Sequence, residues 1–448
     1  MPEMLNQPTN LLDWMYQDKA AAGIFSLSAT YQNWIAVEIA LAQSQCQKEI
    51  ISNHELQLIE KLDQAEMPDM ASFHASALNV GYPIIALLNH LNSQLHPDAR
   101  GVLHVGATTQ DIMDTALALQ IHQAGSLLLA HVDELGQALK TLVMQHTGTI
   151  MPGRTHAQHA VPTTFGLKCA IYLSEINRHR TRIRNTVSEA SRISLYGAAG
   201  TSAAMGIHAN EIRQDMAKRL GLNDEIVPWH VSRDRFLDVS SQCANLCVTL
   251  VRMAREIIDL SRNEIDEVYE PGGHHKGASS TMPQKRNPVM SEAIIGLGLQ
   301  AIGQAQMMFR AGEVSHERAA GEWQLEWKAL PEVFINSITA TSIAGKMFGG
   351  LGVNVEKMRE NLKISNGSIM SEAYMIELSR SLGREKAHDV VHEASRISIA
   401  EKISLEDSLT RVLPEVKTII TIWPLLATDY LGNSNLICAQ VIDQWNQN

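Results

Sequence analysis

An all-α fold follows from three features of the sequence: long proline-free stretches with apolar residues at helical spacing, an aromatic content of only 5%, and the lack of any sustained alternation of apolar and polar residues. Few aromatics with abundant Ala, Leu and Met favour helix over sheet. The stretch from Asp111 to about His146 contains no proline and far exceeds the usual helix of about 11–12 residues. A second stretch is clearer still: Phe236, Val239, Cys243, Leu246, Leu250, Met253, Ile257 and Leu260 step by 3, 4, 3, 4, 3, 4, 3, which is the seam of a coiled coil. Only partner helices, from the same chain or from other copies, can cover a strip of that length, so a bundle and an oligomer are expected.

Taken in order, residues 10–100 predict short helices punctuated by Pro68, Pro83 and Pro97, one of them amphipathic through Tyr31, Ile35, Val37, Ile39 and Ala40. The long helices follow. Two more are expected to begin at Pro162 and Pro288, because proline suits the first helical turn, with Asn287 as the cap of the second. Past Gly349, Gly350 and Gly352 the helices shorten again, with breaks at Gly367, Gly383 and Pro414. A chain of 448 residues exceeds one typical core, and these changes of texture divide it into 1–103, 104–348 and 349–448.

The net charge of −11, with no basic stripe, speaks against a nucleic-acid partner, and any acidic ligand must meet a local cluster of cations. No signal peptide and no apolar run of about 18 residues is visible, so no membrane association is expected. The five cysteines, Cys46, Cys169, Cys243, Cys247 and Cys438, are odd in number and scattered, which suits a reduced cytoplasm. Cys243 and Cys247 lie one helical turn apart and are expected in the core.

Three segments concentrate polar groups beside the long helices. In residues 272–288, three glycines within six residues precede Ser279, Ser280, Thr281, Lys285 and Asn287, the composition of a mobile loop that delivers chemistry. It lacks the residue order of a phosphate-binding loop, and no strand pattern precedes it. Residues 154–164 gather Arg154, Thr155, His156, His159, Thr163 and Thr164, which fits either a capped loop or a site. His156 and His159 have no Cys or acidic partner at zinc spacing, so a metal is not expected there. The third segment runs from His104 through Thr108 and Thr109 to Asp111.

The ten residues from Ser279 to Pro288 closely resemble the signature of the fumarase/aspartase superfamily, in the branch of adenylosuccinate lyase and bacterial 3-carboxy-cis,cis-muconate cycloisomerase. Residues 154–166 and 104–111 resemble two further segments of that superfamily, and the resemblance covers nearly the whole chain. It implies three helical domains around a long central bundle, assembled as a homotetramer whose active sites combine segments of three subunits. It also implies abstraction of a proton beside a carboxylate, then loss of a group from the adjacent carbon. Ser279 would be the base and His156 the residue acting on the leaving group. Glu292, seven positions after Lys285, would partner His156. Lys285 and Asn287 would stabilise the enolate, and Thr108 and Thr109 would bind a substrate carboxylate with His104 nearby. Thr155, Ser280 and Met282 complete the matched binding positions. No cofactor is implied.

Residues 316–332, and Pro228, Trp229 and His230 with Arg233, Asp234 and Arg235, resemble the cycloisomerases. Those enzymes, however, carry tryptophan where this chain has His156 and lack a glutamate at 292. The Arg-His-Asp segment of adenylosuccinate lyases is replaced by Ala77, Leu78, Asn79 and Val80; Trp327 stands where they use arginine, and Ser232 replaces a glutamine common to both groups. The expected activity is therefore reversible elimination of an amine or similar group from a succinyl-type polycarboxylate, leaving fumarate or a related acid. The alternative is carboxymuconate cycloisomerase. A non-catalytic structural protein on this scaffold would be expected to lose site residues, whereas Ser279, Lys285, Asn287, His156 and Glu292 are all present.

Overall fold

The proline-punctuated N-terminal stretch forms six short-to-medium helices: α1 (Leu11–Tyr16), α2 (Lys19–Ile24), α3 (Leu27–Cys46), α4 (Asn53–Ile59), α5 (Met70–Val80) and α6 (Pro83–Gln94). Side chains start most of them. Asp18, Ser26 and Asp69 accept backbone N–H groups of α2, α3 and α5, and Ser52 forms a reciprocal capping box with Glu55 at α4. Gly81, at φ +89°, stops α5, and Pro83 opens α6 two residues later. This computed structural model describes residues 10–273, 277, 281–282, 284–318 and 321–447.

The long helices are α7 (Thr109–His146), α8 (Phe165–Ala190), α10 (Asp234–Leu260), α11 (Val289–Ala311) and α12 (Glu322–Gly349), with the shorter α9 (Ala209–Leu220) between α8 and α10. Every residue of the predicted seam on α10, from Phe236 to Leu260, is at most 1% exposed, and Cys247 beside it is buried as fully as Cys243. Full burial of such side chains contributes roughly 1.5–3 kcal/mol each, so the seam alone explains why this stretch is helical and covered. The chain ends in α13 (Val355–Lys363), α14 (Ser371–Leu382), α15 (Arg384–Glu401), α16 (Leu405–Val412), α17 (Val416–Ile419) and α18 (Ser434–Gln447), with breaks at Gly367, Gly383 and Pro414.

The fold is mostly rather than purely helical. Strands β1 (Ile150–Thr155) and β2 (Gln158–Thr164) form an antiparallel hairpin, and β3 (Val268–Tyr269) pairs with β4 (Gly352–Val353). Pro162 therefore does not open a helix. It sits in β2 opposite Pro152, and α8 starts three residues later at Phe165. A two-stranded ribbon has an outer edge for each strand, where the missing proline N–H costs no ladder bond. Pro288 does immediately precede α11, yet Asn287 is not its cap. The Glu270 carboxylate accepts the N–H groups of Met290 at 2.9 Å and Ser291 at 2.7 Å, closing the base of the 271–288 loop.

The chain divides into two units. Met1–Val132, His179–Val251 and Ala293–Ser342 form the first; Asp133–Arg178, Arg252–Glu292 and Ile343–Asn448 form the second. In the first, Ile35, Leu41, Ile84, Leu87 and Leu91 of the short helices are buried in one cluster with Ile112, Ile193 and Met216. In the second, Ile369, Tyr374, Leu378, Val391, Leu405 and Leu409 form a separate core of C-terminal helices. No helix among the described residues is long and apolar enough to cross a membrane.

Candidate active site

The head of α7 is built around a buried carboxylate. The Thr108 carbonyl accepts Asp111 N–H at 2.9 Å, while the Asp111 side chain reaches back to Thr108 N–H at 3.0 Å, the reciprocal logic of a capping box. Asp111, fully buried, also accepts the N–H groups of Tyr196 and Gly197 at 3.0 and 2.9 Å, the Ser194 hydroxyl at 3.2 Å, and Nε2 of His230 at 2.7 Å. Three of these five donors pin the first turn to the 194–197 segment, and His230 holds it from a fourth distant position. Gly106 approaches closely too: at φ +82°, a Cβ there would lie 2.6 Å from Met205 Cγ. Thr108 and Thr109 are thus presented, half-buried, at the positive end of a long helix, where anions are favoured. Arg318 completes the corner. It donates to the Thr108 hydroxyl at 3.0 Å and to the Ala198 carbonyl at 3.1 Å, and its Nε is buried without a partner among the described residues.

His104 lies just before this corner at φ +65°, with Nδ1 2.6 Å from Oε1 of the buried Glu38. Burial pulls the imidazole towards its neutral form. The hydrogen bond and charge of Glu38, joined by the charge of Asp111, outweigh this and hold its pKa above the ordinary histidine value.

The β1–β2 hairpin carries the second polar segment. Thr155 pairs with Gln158, so the loop is the two residues His156 and Ala157, at φ +50° and +61°. Two left-handed residues make the turn that matches hairpin twist, a turn normally built from asparagine and glycine. Here a histidine and an alanine hold it, and the His156 side chain is exposed at the tip. Below the tip, Arg154 makes two bonds to the buried Glu267, at 2.9 and 2.6 Å, and Asn361 donates to the same carboxylate at 2.8 Å. The His159 imidazole is pushed below its usual value by burial and by the Arg154 charge, against the opposing pull of Glu267.

In the third segment, Asn287 N–H donates to the Gly277 carbonyl at 2.9 Å and Lys285 N–H to that of Met282 at 3.1 Å. Gly277 has φ +68°, and a Cβ on it would meet the Asn287 carbonyl oxygen at 2.6 Å, so only glycine fits. Lys285 is exposed, as is Glu292 on the first turn of α11. Ser279 and Ser280 lie outside the described residues.

Comparison with known proteins gives the chain a family. Residues 14–303 match the Lyase family. The chain is 34% identical to the 3-carboxy-cis,cis-muconate cycloisomerase of Pseudomonas aeruginosa over 90% of this chain and 88% of that one. It is also 34% identical to the N-acetyl-S-(2-succino)cysteine lyase of Dickeya dadantii over 81% of this chain and 79% of that one. The chain belongs to the fumarate lyase superfamily. The crystal structure of the 3-carboxy-cis,cis-muconate lactonizing enzyme of Pseudomonas putida superposes with a TM-score of 0.91 at 31% identity, covering 98% of this chain and 99% of that one.

Within this fumarate lyase fold, His104, Thr108 and Thr109 come together at the head of α7, in the first unit. Thr155, His156, Met282, Lys285, Asn287 and Glu292 belong to the second, where His156 and Glu292 share no hydrogen bond or ion pair among the described residues. Two groups escaped the sequence reading. Arg318 is a cation beside the hydroxyls read as carboxylate ligands, the kind of group that the net charge said an acidic ligand must find. Asp111 was noted only as the end of a motif, although it positions Thr108. Its long-range partners, Ser194, Tyr196, Gly197 and His230, are invisible until the chain is folded. Among the described residues no group of three or more His, Cys, Asp and Glu side chains is arranged to hold a metal ion.

Proposed function

We propose that the chain is a lyase that reversibly eliminates a nitrogen, oxygen or sulfur leaving group from a succinyl-type polycarboxylate to give fumarate or a related unsaturated acid. Ser279, as its alkoxide, takes the proton from the carbon beside a carboxylate, and the electron pair moves into that carboxylate as a dianionic enolate. Lys285, Asn287 and loop N–H groups stabilise the enolate oxygens, since fixed donors aimed at developing charge are each worth about 10²–10³ in rate. The electrons then return to form the double bond as the bond to the leaving group breaks, and His156 protonates the departing atom. Glu292, meeting the imidazole across a subunit boundary, fixes its tautomer. Thr108, Thr109 and Arg318 hold a second carboxylate, with His104, Thr155, Ser280 and Met282 at the edges of the site.

The observation that carries this proposal is His156. An exposed imidazole is held at a two-residue turn in a backbone region costing non-glycine residues roughly 1–3 kcal/mol each, and bacterial cycloisomerases carry tryptophan there. The same proposal keeps the domains at 1–103, 104–348 and 349–448, and a homotetramer with sites shared between subunits. A second reading, 3-carboxy-cis,cis-muconate cycloisomerase, is supported by the matched 316–332 segment and by the relatives of that name. The two are separated by incubating the protein with N- and S-succinyl compounds while following fumarate absorbance, and in parallel with 3-carboxy-cis,cis-muconate while following loss of its conjugated double bonds. Fumarate formation that falls by about 10² or more in Ser279→Ala or His156→Asn is the expected result. Lactonisation without fumarate formation would replace the proposal by the second reading, and turnover indifferent to Ser279→Ala would sink both.

A further inference from the structure

A cavity of about 510 Å³ opens in the first unit, walled by α3, α5, the turn before α6, α7 and the first turns of α12. That is the size of a small-molecule site, typically about 300–1,000 Å³. In a chain with only 7 Phe, 7 Trp and 8 Tyr, seven of these rings line it. Tyr82 stacks on Trp323 with centroids 5.8 Å apart, and Trp327 meets both edge-on, at 5.1 Å from Trp323 and 6.3 Å from Tyr82. Trp34 and Phe73 add further apolar wall.

The charges decide what such a cavity can take. Its lining contains no lysine or arginine. Its one carboxylate, Asp114, is engaged: both oxygens accept from Arg233, at 2.7 and 3.1 Å, and one accepts from Gln110 at 3.1 Å. Its one imidazole, His74, is exposed, so a dicarboxylate would lose hydration here and gain no permanent cation, which is costly. The succinyl half of a substrate therefore does not belong in this cavity. The position along α7 also fits. Met113 and Asp114 follow Thr109 by four and five residues on the same helix, a rise of about 6–7.5 Å, roughly the reach from a bound carboxylate across a succinyl carbon to a substituent.

We propose that this cavity receives the departing half of the substrate, a bulky apolar or aromatic group joined to the succinyl carbon through nitrogen, oxygen or sulfur. This assignment rests on the elimination reading, since it names that reaction's leaving group. It is tested in two arms. In the first, binding of benzyl alcohol to the whole protein is measured by calorimetry against methanol, in the native chain and in Ala77→Phe, which fills the cavity from α5. Saturable binding of benzyl alcohol alone, weakened at least tenfold by Ala77→Phe, is expected. No saturable binding, or binding indifferent to Ala77→Phe, overturns the cavity. In the second arm, kcat/KM for fumarate release is compared between N-benzyl- and N-methylaspartate and between the S-benzyl and S-methyl thioethers of succinate. The benzyl compounds are expected to be favoured by at least about tenfold, a ratio that collapses in Trp327→Ala; equal values in the native protein overturn the leaving-group assignment. If no compound yields fumarate while benzyl alcohol binds as expected, the elimination reading and the leaving-group assignment fall together, and the cavity stands as an apolar-ligand site only.

Discussion

At the scale of single residues, the candidate site is governed by buried carboxylates that were not themselves conspicuous. Glu38 acts on His104 from far away in sequence, and Asp111 acts on its neighbour Thr108 while being held itself by distant partners such as Tyr196. The His104–Glu38 contact has a consequence for stability. The folded imidazole has its pKa raised above the unfolded value, so the folded protein binds the proton more tightly. The resulting stabilisation is fully present below the unfolded histidine pKa of about 6.5 and is lost as pH rises through the raised folded value. A hydrogen bond to a charged group is worth roughly 1.5–3 kcal/mol, so His104→Gln is expected to cost about that much at pH 5.5 and clearly less at pH 8.5. Urea unfolding of both proteins across this range measures the gap. A gap that stays constant or widens with pH would mean that Glu38 does not hold the imidazole in its charged form.

At the scale of elements, legibility followed periodicity. The α10 seam and the uninterrupted α7 were readable because heptad spacing and the absence of proline are properties of the local chain. The β1–β2 hairpin was not. Its strands contain Pro152 and Pro162 and an irregularity between Pro152 and Arg154, which break the alternation by which strands are recognised, and its turn holds none of the residues that announce such turns. The cap of α11 was misassigned for a related reason, since Glu270 arrives from beyond the loop. The turn residues put function and stability in opposition. Ala157→Gly removes the Cβ that a left-handed backbone disfavours, and is expected to raise stability by roughly 0.5–1 kcal/mol. His156→Asn relieves strain at the neighbouring position in the same sense, yet is expected to remove turnover along with the imidazole. Thermal unfolding read beside fumarate formation distinguishes this from a passive turn. If His156→Asn lowers stability and leaves activity intact, the histidine is there for the fold.

At the scale of the whole molecule, the residues matched to catalysis fall into two groups: His104, Thr108 and Thr109 in the first unit, and His156, Lys285, Asn287 and Glu292 in the second. The aromatic cavity illustrates why sequence could not assemble such sites. Its walls come from α3, α5, α7 and α12, and no local pattern links Trp34 to Trp327. The proposed tetramer adds a further level, in which residues distant within one chain meet across copies. That makes a quantitative prediction. Suppose that each site takes Ser279 from one subunit and His156 from another, and that two inactive variants, Ser279→Ala and His156→Asn, are mixed in equal amounts, unfolded and refolded together. Each site then receives an intact Ser279 with a chance of one half and an intact His156 with the same independent chance, so about one quarter of the sites are restored. Fumarate formation should recover to about a quarter of the unmutated level, from near zero for either variant refolded alone. If both residues of a site came from the same subunit, every chain would carry one lesion into its own site and mixing would restore nothing. Sedimentation of the mixture at about four times the 49.4 kDa chain mass, together with no recovered activity, would therefore leave the tetramer intact while removing the shared site.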